Sequence, residues 1–373
     1  MKNPKPIAAA VLVFAGCLFV GFWIAGHRIL WNDERWTLTN SVLGLSYLDI
    51  LRGRIGEGNN SPLFYILQKL QCAVFAYQPP MDWPWEGKHL FSQVFLRVQP
   101  VVSMSLAVSV LFYYFAVNSS LLAGLYSVAV ALSSFMLWDH WAEARPYALW
   151  FLLTTLQMLL LTDLLRSRNK NWGGLALVHG LLALTTSIGM VQIAAASLAL
   201  WLFSERKWRS YITMAAVPLA IGLFYYFSAP KYNFCFVDGP VALINANIPK
   251  DRMAIAVIFA LALAFGRKKD QPLPPEGRYL VFMAVMLACF ALVLLRLKMT
   301  ASSSGFQVSN RYFMPLTSVG IMGTTLFSIW LVQQPKSKLF KMTVIGMLAA
   351  FLIFRIYRVL PFIHSSLYVN GIR

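Results

Sequence analysis

The sequence predicts an all-α polytopic transmembrane bundle of about eleven spans, with juxtamembrane amphipathic helices in the first long loop. Three observations predict it. Hydrophobic residues make up 58 % of the 373 and charged residues only 12 %, at a mean hydropathy of +0.62, which is more apolar surface than a soluble fold can bury. Apolar runs long enough to cross a bilayer, or nearly so, recur from one end of the chain to the other. Four short loops between such runs are basic, the pattern of segments held on the cytoplasmic side.

The first run, 7–26, follows Lys2 and Lys5 and is about 20 residues long, enough for a helix to cross the hydrocarbon core. A cleavable signal peptide is the competing reading. The run is long for that role and ends in "FWIAGHR" rather than a small-residue cleavage pattern, so a retained span is expected. Further runs are 98–117, 121–138, 147–165, 174–187, 188–203, 210–228, 253–266, 279–295, 313–332 and 342–360. The two that meet at Ser187 have no polar loop between them. No internal repeat and no soluble domain interrupts the series, so residues 1–373 read as one integral membrane domain. Its parts are a first outer loop 27–97, core spans 98–228, an outer loop 229–252 and C-terminal spans 253–373.

The basic loops set the orientation. They are "RSRNKNW" after Leu165, "SERKWRS" after Phe203, "GRKKDQPLPPEGR" after Phe265 and "QQPKSKLFK" after Val332. If each intervening pair of spans is a hairpin, all four lie inside with Lys2 and Lys5, giving an inner-membrane protein with a cytoplasmic N-terminus. Counting back, "DHWAEARPYAL" (139–149) is outside, and so is 27–97. The segment 62–77 then begins and ends on the outer face. It is short and carries Gln68, Lys69 and Gln71, so a juxtamembrane or half-inserted helix is expected there.

A net charge of +18 would suggest nucleic acid in a soluble protein; in a polytopic chain it raises the question of sidedness. On this topology the inner side carries about 15 Lys and Arg against about 4 acids, and the remainder about 17 against about 10. The outer surplus fits either an anionic headgroup or lipid phosphate bound there, or plain contact with anionic lipid. Cys17, Cys72, Cys235 and Cys289 are scattered, with neither disulfide nor metal spacing.

Three segments could carry chemistry. "LWNDERWTLTNSV" (30–42) sets Asp33 and Glu34 between Trp31 and Trp36, residues suited to the membrane interface. Leu38, Val42, Leu45, Leu48 and Leu51 follow at three- to four-residue spacing, as in an amphipathic helix lying on the membrane. Carboxylates held there could act as base toward a lipid-borne substrate, or be an idle solvated pair. "DHWAEARPYALW" (139–150) gathers Asp139, His140, Glu143 and Arg145 at the mouth of two spans, and Pro146 opens a helix whose N-terminal amides, with Arg145, suit a phosphate. "SSSGFQVSNRYFMPL" (302–316) places Arg311 before an apolar helix, as a phosphate partner or an interfacial anchor. Arg355 and Arg358, three apart on one helical face, are weaker candidates to line a cavity.

The acidic "DE" after the first span, "NNSPLFYIL" (59–67), "FLRVQPVVSM" (95–104), "EARPYALWFLL" (143–153) and "NRYFMPL" (310–316) occur in this order. The series resembles the GT-C superfamily of membrane glycosyltransferases, in the branch of protein O-mannosyltransferases and aminoarabinose transferases. Asn60 and Ser61 stand where members often carry His-Pro, and "TTSIGM" after Leu184 lacks their frequent His-Tyr. The resemblance implies transfer of a sugar from a polyprenyl-phosphate donor to an acceptor hydroxyl of a glycan, lipid or protein on the outer face, with inversion. It further implies Asp33 as the base with Glu34 beside it, and Arg145, Arg311 and Lys69 as phosphate contacts. Within the same motifs Glu143, Tyr147, Tyr312 and Asn60 become candidate substrate-binding residues. The sequence requires no metal or other cofactor, although a divalent cation is compatible with it. The loop 237–252 is a candidate cover over the site. The competing functions are a lipid-linked sugar transporter or flippase, expected to carry charges near the midplane and repeated halves, and a non-catalytic membrane partner of a glycan-assembly complex.

Overall fold

A computed structural model describes residues 4–56, 60–79, 89–166, 171–203, 208–228, 273–299, 314–333 and 337–368. All of the regular structure among them is helical: α1 (Pro4–His27), α2 (Asn32–Trp36), a π-helix (Thr37–Leu43), α3 (Tyr47–Leu51), α4 (Leu63–Val74), α5 (Leu90–Leu96), α6 (Val98–Asn118), α7 (Leu121–Leu132), α8 (Phe135–His140), α9 (Tyr147–Leu165), α10 (Trp172–Thr185), α11 (Gly189–Phe203), α12 (Trp208–Ser228), α13 (Pro275–Met299), α14 (Met314–Gln333) and α15 (Lys338–Tyr368).

Among the described residues five helices, α1, α6, α9, α14 and the first part of α15, are long and apolar enough to cross a membrane. Large apolar side chains stand fully outward along several helices, among them Phe19, Leu122, Phe227 and Leu339. Such surface is stable only against lipid, so this is a membrane protein. Nine of the eleven expected spans coincide with single helices, 121–138 is divided between two, and 253–266 lies outside the described residues.

Burial ranks the helices. The apolar windows of α9 and α14 are each 78 % buried and that of α15 is not buried at all, so α9 and α14 lie inside the bundle and α15 is its lipid-facing edge. Helix α6 packs between α1, α7 and α9, while α10, α11 and α12 form a second group against α9, with α13 and α14 closing the other side. The α1–α6 seam is close because of Gly21. A Cβ there would come within 2.7 Å of Val101 Cγ1 and 2.8 Å of Trp141 Nε1. Gly21→Val is expected to cost about 1–3 kcal/mol, read as a lowered thermal midpoint in detergent. Gly16→Val, which meets nothing within 4 Å, is the control and leaves the midpoint unchanged.

Two expected elements differ in form. The run 121–138 is not one helix: α7 ends at Leu132 and α8 starts at Phe135, with the Ser133 hydroxyl bonded back to the Val130 carbonyl at 2.7 Å. Competition of this kind between a hydroxyl and the helix ladder favours termination. The amphipathic helix expected after Trp36 is also divided. Helix α2 runs directly into the π-helix, which stops at Gly44, whose amide reaches back five residues to the Thr39 carbonyl at 2.9 Å. A Cβ on Gly44 would lie 2.5 Å from that same oxygen, so the close needs glycine. Leu38 and Val42 are buried on the protein side, whereas Leu48 and Leu51 on α3 face outward. The apolar stripe therefore serves two different surfaces. In α3, the Ser46 hydroxyl and then Arg54 hold the Asp49 carboxyl below the usual carboxylate range.

Candidate functional site

Asp33 and Glu34 occupy the first turn of α2, where carboxylates complement the positive end of a helix. Their neighbours separate them completely. Glu34 is buried and its two oxygens accept four hydrogen bonds. Oε1 takes Arg97 Nε at 2.9 Å and the Ala144 amide at 2.7 Å; Oε2 takes Arg97 Nη2 at 2.6 Å and the Trp31 amide at 3.1 Å. Arg97 is equally buried and gives its remaining protons to the carbonyls of Ala25, Arg28 and Ile29 at the end of α1. One ion pair thus fastens α1, α2, the start of α6 and the loop before α9 at a single point. Every acceptor position of Glu34 is in use, which suits a brace and not a group that handles a substrate proton.

Asp33 projects the other way. Its side chain is 36 % exposed and its Oδ2 meets Arg145 Nη1 at 2.5 Å. Arg145, only 7 % exposed, also faces the rings of Trp31 and Tyr147 at 6.0 and 5.5 Å, within cation–π range. Glu143 is buried behind it, one oxygen against His140 Nδ1 and the other 4.0 Å from Arg145 Nε. The His140 ring lies 4.9 Å from that of Tyr147. Pro146 then begins α9, as its preset φ favours. The result is a wall of buried charge and aromatic surface from which one carboxylate emerges.

Asp33, Glu34, Glu143, Arg145 and Tyr147 are therefore brought together. Lys69 goes elsewhere: its Nζ donates to the Val42 carbonyl at 2.8 Å and sits over Tyr47, fastening α4 to the end of the π-helix. Asn60 is buried, its amide donating to Tyr65 Oη at 2.8 Å and its backbone bridged to Thr186. Ser61 N donates to the Thr185 carbonyl at 3.2 Å. The segments around Asn60 and Thr186 are thus bonded to each other. Arg311, Tyr312 and the loop 237–252 lie outside the described residues.

Arg355 and Arg358 do not pair up to line a cavity. Arg355 donates to the Ser133 carbonyl at the end of α7, and Arg358 lies over Phe354 on outward-facing α15. One site residue, Arg97, escaped sequence reasoning, and His140, named within the 139–150 segment, was given no role there. Arg97 opens an apolar helix, a position that reads as an interfacial anchor, and nothing local announces a carboxylate 63 positions away. His140 stands three residues before Glu143, a spacing that puts both on one side of a helical turn and was the available signal. Among the described residues no group of three or more His, Cys, Asp or Glu is arranged to hold a metal ion. The chain matches no protein-family model and no curated protein sequence.

Proposed function

We propose that this chain is a membrane glycosyltransferase that moves a sugar from a polyprenyl-phosphate donor to an acceptor hydroxyl, with inversion, on the outer face of the inner membrane. The observation that carries the reading is the partly exposed Asp33 carboxylate held by Arg145 at the rim of an otherwise buried charge cluster. The acceptor oxygen bonds to the anomeric carbon as its proton passes to Asp33. The bond from that carbon to the phosphate oxygen breaks, its electron pair leaving on the phosphate. A guanidinium beside the N-terminus of α9 suits that developing charge.

The bundle interior favours a transferase over a carrier. Part of its buried polar layer is hydrogen-bonded across helices: Trp150 Nε1 donates to Gln192 Oε1 at 2.6 Å, Gln192 Nε2 to Thr154 Oγ1 at 2.9 Å, and Gln157 Nε2 meets His179 Nε2 at 3.0 Å. Hydrogen bonds of this kind between helices work as glue for α9, α10 and α11. The described buried charge gathers at the α8–α9 end.

The reading is tested by a screen of polyprenyl-phosphate sugars with the purified protein, where no transfer from any donor overturns it. Its sidedness, with about eleven spans and a cytoplasmic N-terminus, rests on the basic loops. The Arg54 side chain is 64 % exposed, so Arg54→Cys should be labelled in intact cells by an impermeant maleimide, in a background with Cys235 replaced by serine. Burial pushes the Cys72 thiol up to about 11, which keeps the native background slow. Protection of position 54 would put the site on the opposite face.

A further inference from the structure

One carboxylate of the charge cluster, Glu143, has a part neither in the reaction nor in the Glu34–Arg97 brace. Glu143 is 6 % exposed, and its Oε1 has no hydrogen bond although it is shut away from solvent. That oxygen faces Arg145 Nε at 4.0 Å, while Asp33 holds the opposite end of the same guanidinium at 2.5 Å. The second oxygen of Glu143 is fixed by His140 Nδ1, and His140 Nε2 is 3.7 Å from Asp139 Oδ2. A buried carboxylate with an oxygen left over is costly unless a cation is near enough to share.

We propose that Glu143, set in place by His140, is a second counter-anion for Arg145, and that the guanidinium is shared between Asp33 and Glu143 through the catalytic cycle. The inference rests on the proposed transferase reading. When Asp33 takes the acceptor proton it becomes neutral and its hold on Arg145 weakens. Glu143 keeps its charge, so the nearly buried guanidinium remains anchored beside the leaving phosphate and does not depart with it. His140 acts through Glu143 and is a positioning residue. The other ionisable groups around it are Asp139 on its own helix, Tyr147 on α9, Arg28, which donates to the Asp139 and Trp138 carbonyls, and Arg355, which reaches the nearby Ser133 carbonyl. The Glu34–Arg97 pair borders the same loop through the Ala144 amide.

Sharing makes the two carboxylates substitutes for each other, and this can be read without any transfer assay. The detergent-purified protein and its Asp33→Asn, Glu143→Gln and doubly substituted variants are compared by thermal unfolding. Either single change leaves Arg145 one carboxylate; the double change removes both from a buried cation. The double variant is expected to lose more than the sum of the two single shifts in Tm, and Arg145→Gln in all backgrounds should restore additivity. Strict additivity with Arg145 present overturns the proposal.

In the transfer assay Glu143→Gln should lower kcat about tenfold with donor KM within about twofold. His140→Ala should do the same, and His140→Gln, which can still donate to Glu143, should recover most of the loss. A raised donor KM with kcat intact would make Glu143 a ground-state binding group and sink the cycle described. Unfolding shifts that couple in a protein without any transfer would instead retain the shared guanidinium and remove the transferase reading.

Discussion

Asp33→Asn should abolish most turnover while leaving the protein folded. The asparagine side chain can still accept from Arg145 but cannot take up the acceptor's proton. General-base catalysis is worth about 10²–10⁴ in rate, so kcat should fall by that order with donor KM little changed. The measurement is transfer by purified variant and wild type under the donor conditions that the screen identifies. Undiminished transfer by the variant would exclude Asp33 as the base. The thermal midpoint should move by only a few degrees, since Asp33 is the one member of the cluster with substantial exposure.

Its neighbour should behave in the opposite way. Glu34→Ala leaves Arg97 buried with no carboxylate, and breaking a buried pair from one side costs about 3–5 kcal/mol. Even Glu34→Gln fails structurally, because all four of its hydrogen bonds are accepted ones, and an amide nitrogen placed there would face donors from Arg97 and from the amide of either Ala144 or Trp31. Loss of monodisperse protein, or a midpoint lowered by many degrees, is the expected readout for both. A Glu34→Gln protein that unfolds like wild type yet transfers no sugar would reverse the assignment. Two adjacent acids thus separate cleanly, one by rate and the other by stability.

Much of the fold was legible because its limits are chemical. Helix α9 covers 147–165 as expected, bounded by Pro146 and Arg166, and α6 begins directly after Arg97. The short polar-bearing helix at 62–77 appears as α4, and Ser187 does mark a break, between α10 and α11. What could not be read depends on partners distant in the chain. The π-helix is held where Lys69 reaches the Val42 carbonyl, and the end of α7 where Arg355 reaches Ser133. No spacing within a window encodes either. The positive surplus assigned to the outer side has part of its explanation here too. Arg28, Arg97 and Arg355 each donate to carbonyls at a helix C-terminus, a use of charge that sequence counting cannot tell from anion binding.

The Glu34–Arg97 brace also imposes a timetable on biogenesis. Helix α1 and both acids are synthesised first, but the guanidinium that satisfies the end of α1 arrives with residue 97, and the amide that completes Glu34 only with residue 144. Until then Glu34 lacks the Ala144 amide and Asp33 lacks Arg145. The site is consequently a late product of membrane insertion. It is assembled only when the α8–α9 hairpin closes onto a loop made more than a hundred residues earlier, so a chain stalled before that hairpin carries both acids and no assembled site.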